Sequence, residues 1–325
     1  MRVSVFVPEF GVIEAITPPY RAFQTANDFL KANGKNAVFE VEYVGLNQYV
    51  PANDGEYMVK TNRLLWDVDE TDLLFIPPTF GDTTRGIEAN AEAIPMFKKL
   101  YESGASLASL CIGAFLLAET GLLNGKKCST HWVYIPEFRE RYPEVEIVDG
   151  AVITEHDNIY SSGGANSLWN LVLYLIEKYA DRETAIMIAK FFALDIGRDN
   201  QTQFAIFKGQ RNHHDTEIQK VQEHIETNFE EKMTIEDLAA VIHTGRRTFE
   251  RRFKQATNNT PIEYIQRVRV EAAKKFFEGS RKSVTEVMYE VGYSDTKAFR
   301  DIFKKITGLT PIEYRNKFAK VIYAV

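Results

Sequence analysis

Cysteine is scarce in this sequence. The 325 residues contain two, Cys111 and Cys128, neither spaced as a metal-ligand pair, so a disulfide framework cannot organise the fold and a reducing compartment fits. Long apolar runs are missing as well, since none approaches the roughly eighteen residues of a membrane span. The opening MRVSVFVPEF lacks the cationic segment and long apolar core of a signal peptide. A cytoplasmic protein with no membrane partner is expected. Histidine is also sparse, with six in the chain, and the adjacent pair His213 and His214 cannot both face one site on a helix. They sit in the polar stretch 209–215, which reads as linker, and neither a metal nor another cofactor is expected.

Positive charge is in deficit, with 39 Lys and Arg against 45 Asp and Glu, and a net charge of −6 argues against a nucleic-acid partner for the chain as a whole. Division changes this. Residues 215–325 carry 20 Lys and Arg against 17 Asp and Glu, a balance of +3, whereas the first 214 residues carry 19 against 28, a balance of −9. Length and a composition 45% hydrophobic and 26% charged fit a globular chain with two cores.

What the chain does contain is a repeat. Residues 249–264 read FERRFKQATNNTPIEY and residues 299–314 read FRDIFKKITGLTPIEY, fifty positions apart. Phe249 pairs with Phe299, Phe253 with Phe303, Thr257 with Thr307, and TPIEY recurs unchanged. A solenoid needs about three copies or more to bury a continuous core, so two copies indicate a single duplication. Upstream of each copy lies a shorter helical pattern, TIEDLAAVI at 234–242 and VTEVMYEVGY at 284–293, preceded by Thr or Ser in cap position. Gly245 and Gly292 lie near the breaks that follow. Each copy therefore reads helix, tight turn, helix.

The second helix of each pair combines a packed stripe with a cationic face. In 245–254 (GRRTFERRFK), Phe249 and Phe253 share one side, and Arg246, Arg247, Glu250 and Arg251 fall on the others. In 295–305 (DTKAFRDIFKK), Phe299 and Phe303 are inside and Thr296, Lys297, Arg300 and Lys304 outside. Such helices suit the major groove, where Arg and Lys reach guanine edges and phosphates. A solvated basic helix would also explain one of them, but two in register favour the groove.

These motifs resemble the AraC/XylS-type DNA-binding domain over residues 215–318. The resemblance includes Arg269 and Ala272 in a connecting helix over 261–278, with Pro261 in its first turn and Gly279 as its stop, then the GYSD turn and the closing GLTPIEYR. It implies two helix-turn-helix units entering successive major grooves of double-stranded promoter DNA, about 34 Å apart. Base-reading positions carried over residue by residue are Arg247, Glu250 and Arg251 in the first unit and Thr296, Lys297 and Arg300 in the second. Asp301 departs from the pattern, leaving open a cytosine amino group or a pairing with Lys304 or Lys305.

Residues 1 to about 195 alternate strand and helix. Residues 3–7, 39–46, 73–77 and 106–110 read as strands; 15–32, after a proline-marked turn, and 89–103 read as helices. The expected fold is an α/β domain with a mostly parallel sheet covered on both faces, followed by an all-α domain. The expected boundaries are 1–196, a linker at 197–214, and 215–325. In such sheets ligands sit at the carboxyl ends of strands.

Cys111 occupies that place. In SLASLCIGAFLLAETGLLNG a strand runs into the cysteine and a helix starts at Gly113, an elbow in which the helix dipole would favour a thiolate. Free cysteine is also among the most buried residue types, so structural burial stands beside that reading. Prolines 77 and 78, with Thr79 and Phe80, are read as shaping the rim.

The stretch CIGAFLLAETGLLNGKKCSTHW resembles the elbow of PfpI-like members of the class I glutamine amidotransferase superfamily, and with residues 161–204 it resembles the sensor domain of GlxA-type regulators. The resemblance places a carboxylate and a histidine near the thiol, filled here by Glu14 and His131. Hydrolytic relatives have histidine directly after the cysteine; here that residue is Ile112. Glu14, Cys111, Ile112 and His131 thus form a candidate pocket for a small-molecule effector, with a vestigial elbow and a cysteine hydrolase or amidase carrying a DNA-binding appendage as the alternatives. A protein-interaction adaptor has only the acidic N-terminal half in its favour. The resemblance further implies a homodimer through the sensor domain, with RNA polymerase as a further partner.

Overall fold

A computed structural model describes residues 1–195, 201–207, 209–211 and 213–319, so the expected linker lies partly outside the described residues. The chain divides into two units, Met1–Gln201 and Thr202–Val325.

The first unit runs β1 (Arg2–Val7), α1 (Ile13–Ala32), β2 (Glu40–Gly45), β3 (Tyr49–Ala52), β4 (Tyr57–Lys60), β5 (Arg63–Leu64), β6 (Leu73–Ile76), α2 (Thr83–Ala89), α3 (Ala93–Glu102), β7 (Ser106–Leu110) and α4 (Gly113–Ala118). It continues with β8 (Lys127–Cys128), α5 (Ile135–Arg141), β9 (Glu146–Ile147), β10 (Ile153–His156), β11 (Ile159–Ser162), α6 (Leu168–Tyr179) and α7 (Arg182–Phe191). Seven strands form one sheet in the order β10-β11-β7-β6-β1-β2-β5, parallel throughout except for β10 with β11.

Alternation along the central strands explains why both faces are covered. Val3, Val5 and Val7 join Phe23 of α1, Leu171 of α6 and Ile188 of α7 in one core, while Phe6, Leu74 and Ile76 join Phe97 of α3 and Phe115 of α4 in the other. A strand buried on both sides reads as a continuous apolar run.

Two helices differ from expectation. The helix expected over 89–103 begins at Ala93, because buried Asn90 ends α2 by donating to Gly86 O (2.8 Å) and exchanging hydrogen bonds with the Glu9 backbone. A long-range partner overrode local periodicity. Helix α1 follows a turn at Pro8, where Gly11 N donates to Pro8 O (3.0 Å), but starts at Ile13, two residues earlier than expected, and holds Pro18 and Pro19 inside it. Its buried stripe, from Ala15 and Ile16 through Phe23 to Leu30, carries the helix across two missing N–H donors.

The second unit is helical: α8 (Thr216–Thr227), α9 (Ile235–Val241), α10 (Arg246–Thr257), α11 (Pro261–Gly279), α12 (Val284–Glu290), α13 (Thr296–Thr307) and α14 (Pro311–Phe318). Capping boxes open α9, α11, α12 and α14, each with Thr or Ser accepting from the backbone of an acid three residues on, which returns a bond to the cap. Helix α11 passes through two cores. Tyr264, Ile265 and Val268 pack with Phe249 and Phe253, and Val270, Ala273 and Phe277 pack with Phe299 and Phe303.

The turns show why the repeat is not uniform. The left-handed residue after α9 is His243 (φ 49°), and after α12 it is Gly292 (φ 78°); Gly245 caps α10 in extended backbone. Glycine is required at 292, where a Cβ would lie 2.5 Å from Glu230 O. At the other end of the connecting helix, Gly279 is the last helical residue and not a left-handed stop; Ser280 caps the helix, its hydroxyl donating to Phe276 O (2.6 Å).

Candidate functional site

Helices α10 and α13 bury the same two positions and expose the same faces. Phe249, Phe253, Phe299 and Phe303 are fully buried, whereas Arg247, Arg251, Thr296, Lys297 and Arg300 are exposed and Glu250 is partly so. Among the described residues, Arg247, Arg251, Lys297 and Arg300 have no carboxylate within ion-pair distance, which leaves four cations free for an anionic partner. Glu250 is less free: Arg246 holds it at 3.4 Å while reaching Glu236 at 2.8 Å. Asp301 is exposed, and neither Lys304 nor Lys305 pairs with it among the described residues.

Residues that sequence reasoning passed over hold these helices in place. Asp215 caps α8 and accepts two hydrogen bonds from Arg252 of α10 (3.0 and 2.7 Å). Arg269, singled out only by resemblance, donates to Phe229 O (2.7 Å), Glu231 O (2.7 Å) and Gly292 O (3.1 Å), and its guanidinium lies 5.3 Å from the Tyr293 ring. It therefore ties the approach to the first helix-turn-helix to the turn of the second. His213 and His214 line a concavity beside Arg251 and Arg252. His213 accepts from Asp215 N and lies 2.9 Å from Gln222 Oε1, so it is built into the helical unit. Among the described residues no group of three or more His, Cys, Asp and Glu could hold a metal.

In the first unit, β7 ends at Leu110 and α4 begins at Gly113, which leaves Cys111 in the left-handed region at φ 54°. A non-glycine residue held there is strained by about 1–2 kcal/mol. Three contacts fix the elbow. Cys111 N donates to Ser162 O (3.0 Å), Thr130 Oγ1 donates to Cys111 O (3.0 Å), and Gly113 approaches β6 so closely that a Cβ would lie 2.1 Å from Ile76 O. The rim prolines participate through the backbone: Val12 N donates to Pro78 O (3.1 Å), and Gly11 bridges Thr79.

The four candidate pocket residues do not form a hydrogen-bonded constellation. Glu14 is exposed and accepts from Asn53 Nδ2 (3.2 Å to each oxygen). His131 caps the turn at Trp132–Tyr134, accepting from Val133 N (3.2 Å) and stacking on Trp132. Burial holds its imidazole below the usual histidine range. Ile112 is buried, and Cys111 packs against the same apolar core. Burial pushes the Cys111 thiol up to about 12, against a smaller opposing effect of the Ile112 backbone N–H.

The dipole expectation for the thiol therefore loses to desolvation. Helix α4 has six residues and a weak dipole, and the sulfur faces hydrocarbon. Alkylation of Cys111 by iodoacetamide should consequently be slow at neutral pH and keep rising by about tenfold per pH unit past the ordinary thiol pKa of about 8.5. Peptide mass spectrometry across a pH series measures it, and a plateau near pH 7 would mean the thiol is activated after all.

Comparison with known proteins agrees with this architecture. Residues 2–178 match the DJ-1/PfpI family, and residues 238–317 match a helix-turn-helix domain. A curated relative, the HTH-type transcriptional regulator ArgR of Pseudomonas aeruginosa PAO1, is 28% identical over 221 residues, covering 68% of this chain and 67% of its own. The HTH-type transcriptional regulator GlxA of Rhizobium meliloti 1021 is 22% identical over 229 residues, 68% of each. The chain thus spans about two thirds of the length of the curated relatives it matches. A crystal structure of a putative transcriptional regulator protein from Vibrio parahaemolyticus superposes with a TM-score of 0.52 at 22% identity, covering 59% of this chain and 98% of that one, and shows the shared fold of the first unit. The α/β sheet with its cysteine elbow, matched over more than half of the chain, places this protein in the DJ-1/PfpI family, with a helix-turn-helix domain following in the same chain and relatives named as HTH-type transcriptional regulators.

Proposed function

We propose that this protein is a sequence-specific DNA-binding transcriptional regulator, with a sensor at 1–196, a linker at 197–214 and a DNA-binding domain at 215–325. The observation that carries the proposal is the duplicated helix pair, in which α10 and α13 bury equivalent phenylalanines and expose free cations. Arg247, Glu250 and Arg251 read one major groove, and Thr296, Lys297 and Arg300 the next. The reading is supported by relatives named as transcriptional regulators.

Selection of binding sites from random duplex DNA followed by titration tests it. Arg247→Ala or Lys297→Ala should weaken the selected site by about 1–3 kcal/mol and relax preference at one position only. Affinity should also fall steeply with salt through counterion release. Unchanged binding in both variants would overturn α10 and α13 as the reading helices, and a flat salt response would argue for a partner other than DNA.

The sensor receives a small-molecule effector near Cys111, and a ligand shifts the protein only if it binds one state better than another. A homodimer forms through the sensor, RNA polymerase is a further partner, and the protein acts in the cytoplasm. Among the described residues no helix is long and apolar enough to cross a membrane. The elbow is non-catalytic in this reading. Ile112 stands where hydrolytic relatives have histidine, the thiol is held protonated by burial, and Cys111 makes no hydrogen bond to Glu14 or His131 among the described residues.

A further inference from the structure

Gln201, the last residue of the first unit, is buried to 1% exposure. Its backbone N–H donates to Gly150 O (2.8 Å), and its side-chain Nε2 donates to Thr130 O (3.0 Å) and Ala151 O (3.2 Å). Two consecutive glycines make room for the amide: a Cβ on Gly163 would lie 2.2 Å from Nε2, and one on Gly164 would lie 3.1 Å from Oε1. Thr130 is also the residue whose hydroxyl holds the Cys111 carbonyl.

The seat has more polar atoms than its occupant satisfies. Gln201 Oε1 is buried without a hydrogen-bond partner among the described residues, and so is Ser167 Oγ, which with Oε1 faces Gly164. Buried polar groups are nearly always paired, so an orphaned carboxamide oxygen beside an orphaned hydroxyl is unusual for a purely structural plug. We infer that the seat of the Gln201 side chain is a binding site for a small polar molecule bearing an amide or amine nitrogen, occupied in this structure by the chain's own carboxamide. Two convergent carbonyls require an N–H2 or N–H3+ donor, and the unpaired Ser167 hydroxyl suits a ligand with more polar groups than glutamine offers.

This assignment rests on the reading that the first unit receives an effector, and it supplies the coupling. A ligand must displace Gln201, and the next residue, Thr202, belongs to the second unit. Occupancy of the seat and the point at which the chain leaves the sensor are therefore one equilibrium.

Equilibrium dialysis of the full chain against radiolabelled propionamide, which reproduces the end of a glutamine side chain, tests the seat. Gln201→Ala should retain about one propionamide per chain, and the wild type should retain it at least about tenfold more weakly because the tethered amide competes. Gln201→Glu keeps the size but loses the donors, so its carboxylate is repelled by the two carbonyls and the seat opens; it should also bind propionamide. Propionate should bind to none of the three. Equal retention of propionamide by all three chains, or retention by neither variant, overturns the assignment. Neither result touches the DNA titrations above, which test the regulator reading by themselves.

Discussion

Phe253→Ala should destabilise the C-terminal unit by about 3–5 kcal/mol, the usual range for truncating a buried aromatic ring. Phe253 is fully buried, with its ring 5.5 Å from that of Phe249 and 5.3 Å from that of Tyr264. Tyr264 in turn donates to Glu226 Oε1 (2.5 Å) and accepts from Gln222 Nε2 (3.1 Å), so the cavity opens beside a buried polar network. The loss is therefore larger than that of a lone ring. A domain of this size is stable by only about 5–15 kcal/mol, so the variant should lie close to its unfolding threshold. Urea titration followed by far-ultraviolet circular dichroism measures this. DNA affinity should fall uniformly for all sequences, in contrast to the local relaxation expected from Arg247→Ala. A change below about 1 kcal/mol would mean that the phenylalanine stripe is not the core of the first helix-turn-helix.

Arg269→Ala should cost roughly 2–4 kcal/mol, because three backbone carbonyls lose a charged donor in a half-buried site. The guanidinium reaches Phe229 O and Glu231 O, which lead into α9, and Gly292 O in the turn between α12 and α13. Helix α11 supplies different residues to the two cores, and Arg269 lies where those two sets meet. Its removal should uncouple the halves as well as weaken them. In scanning calorimetry of the full chain, the transition of the helical unit should broaden or split. Arg269→Lys should recover little, since an ammonium cannot match the planar fork that addresses three separated carbonyls. A variant that melts like the wild type would show that packing along α11 alone couples the two halves.

Local chemistry made much of the second unit legible in advance. Capping boxes, a 3.6-residue apolar period and the Phe pairs act within one or two turns of helix, so FERRFKQAT and FRDIFKKIT declare their buried and exposed faces without reference to the rest of the chain. The β7 strand, bounded at Ser106–Leu110, was legible for the same reason, as an apolar run ending at Cys111.

Tertiary structure decided what depends on partners distant in sequence. Asn90 ends α2 because Glu9 docks on it, and Pro18 and Pro19 stay within α1 because its buried stripe outweighs two lost hydrogen bonds. The turn of the second helix-turn-helix is one residue longer than that of the first, and its glycine is fixed by Glu230 O. For Cys111, the dipole of a short helix and the hydrocarbon around the sulfur push the thiol in opposite directions. Only the packing settles that contest, since desolvation depends on which side chains converge. Gln201 shows the limit most plainly. In sequence it is one polar residue in an expected linker, and its buried seat exists only because Thr130, Ala151 and two glycines are brought to it by the fold.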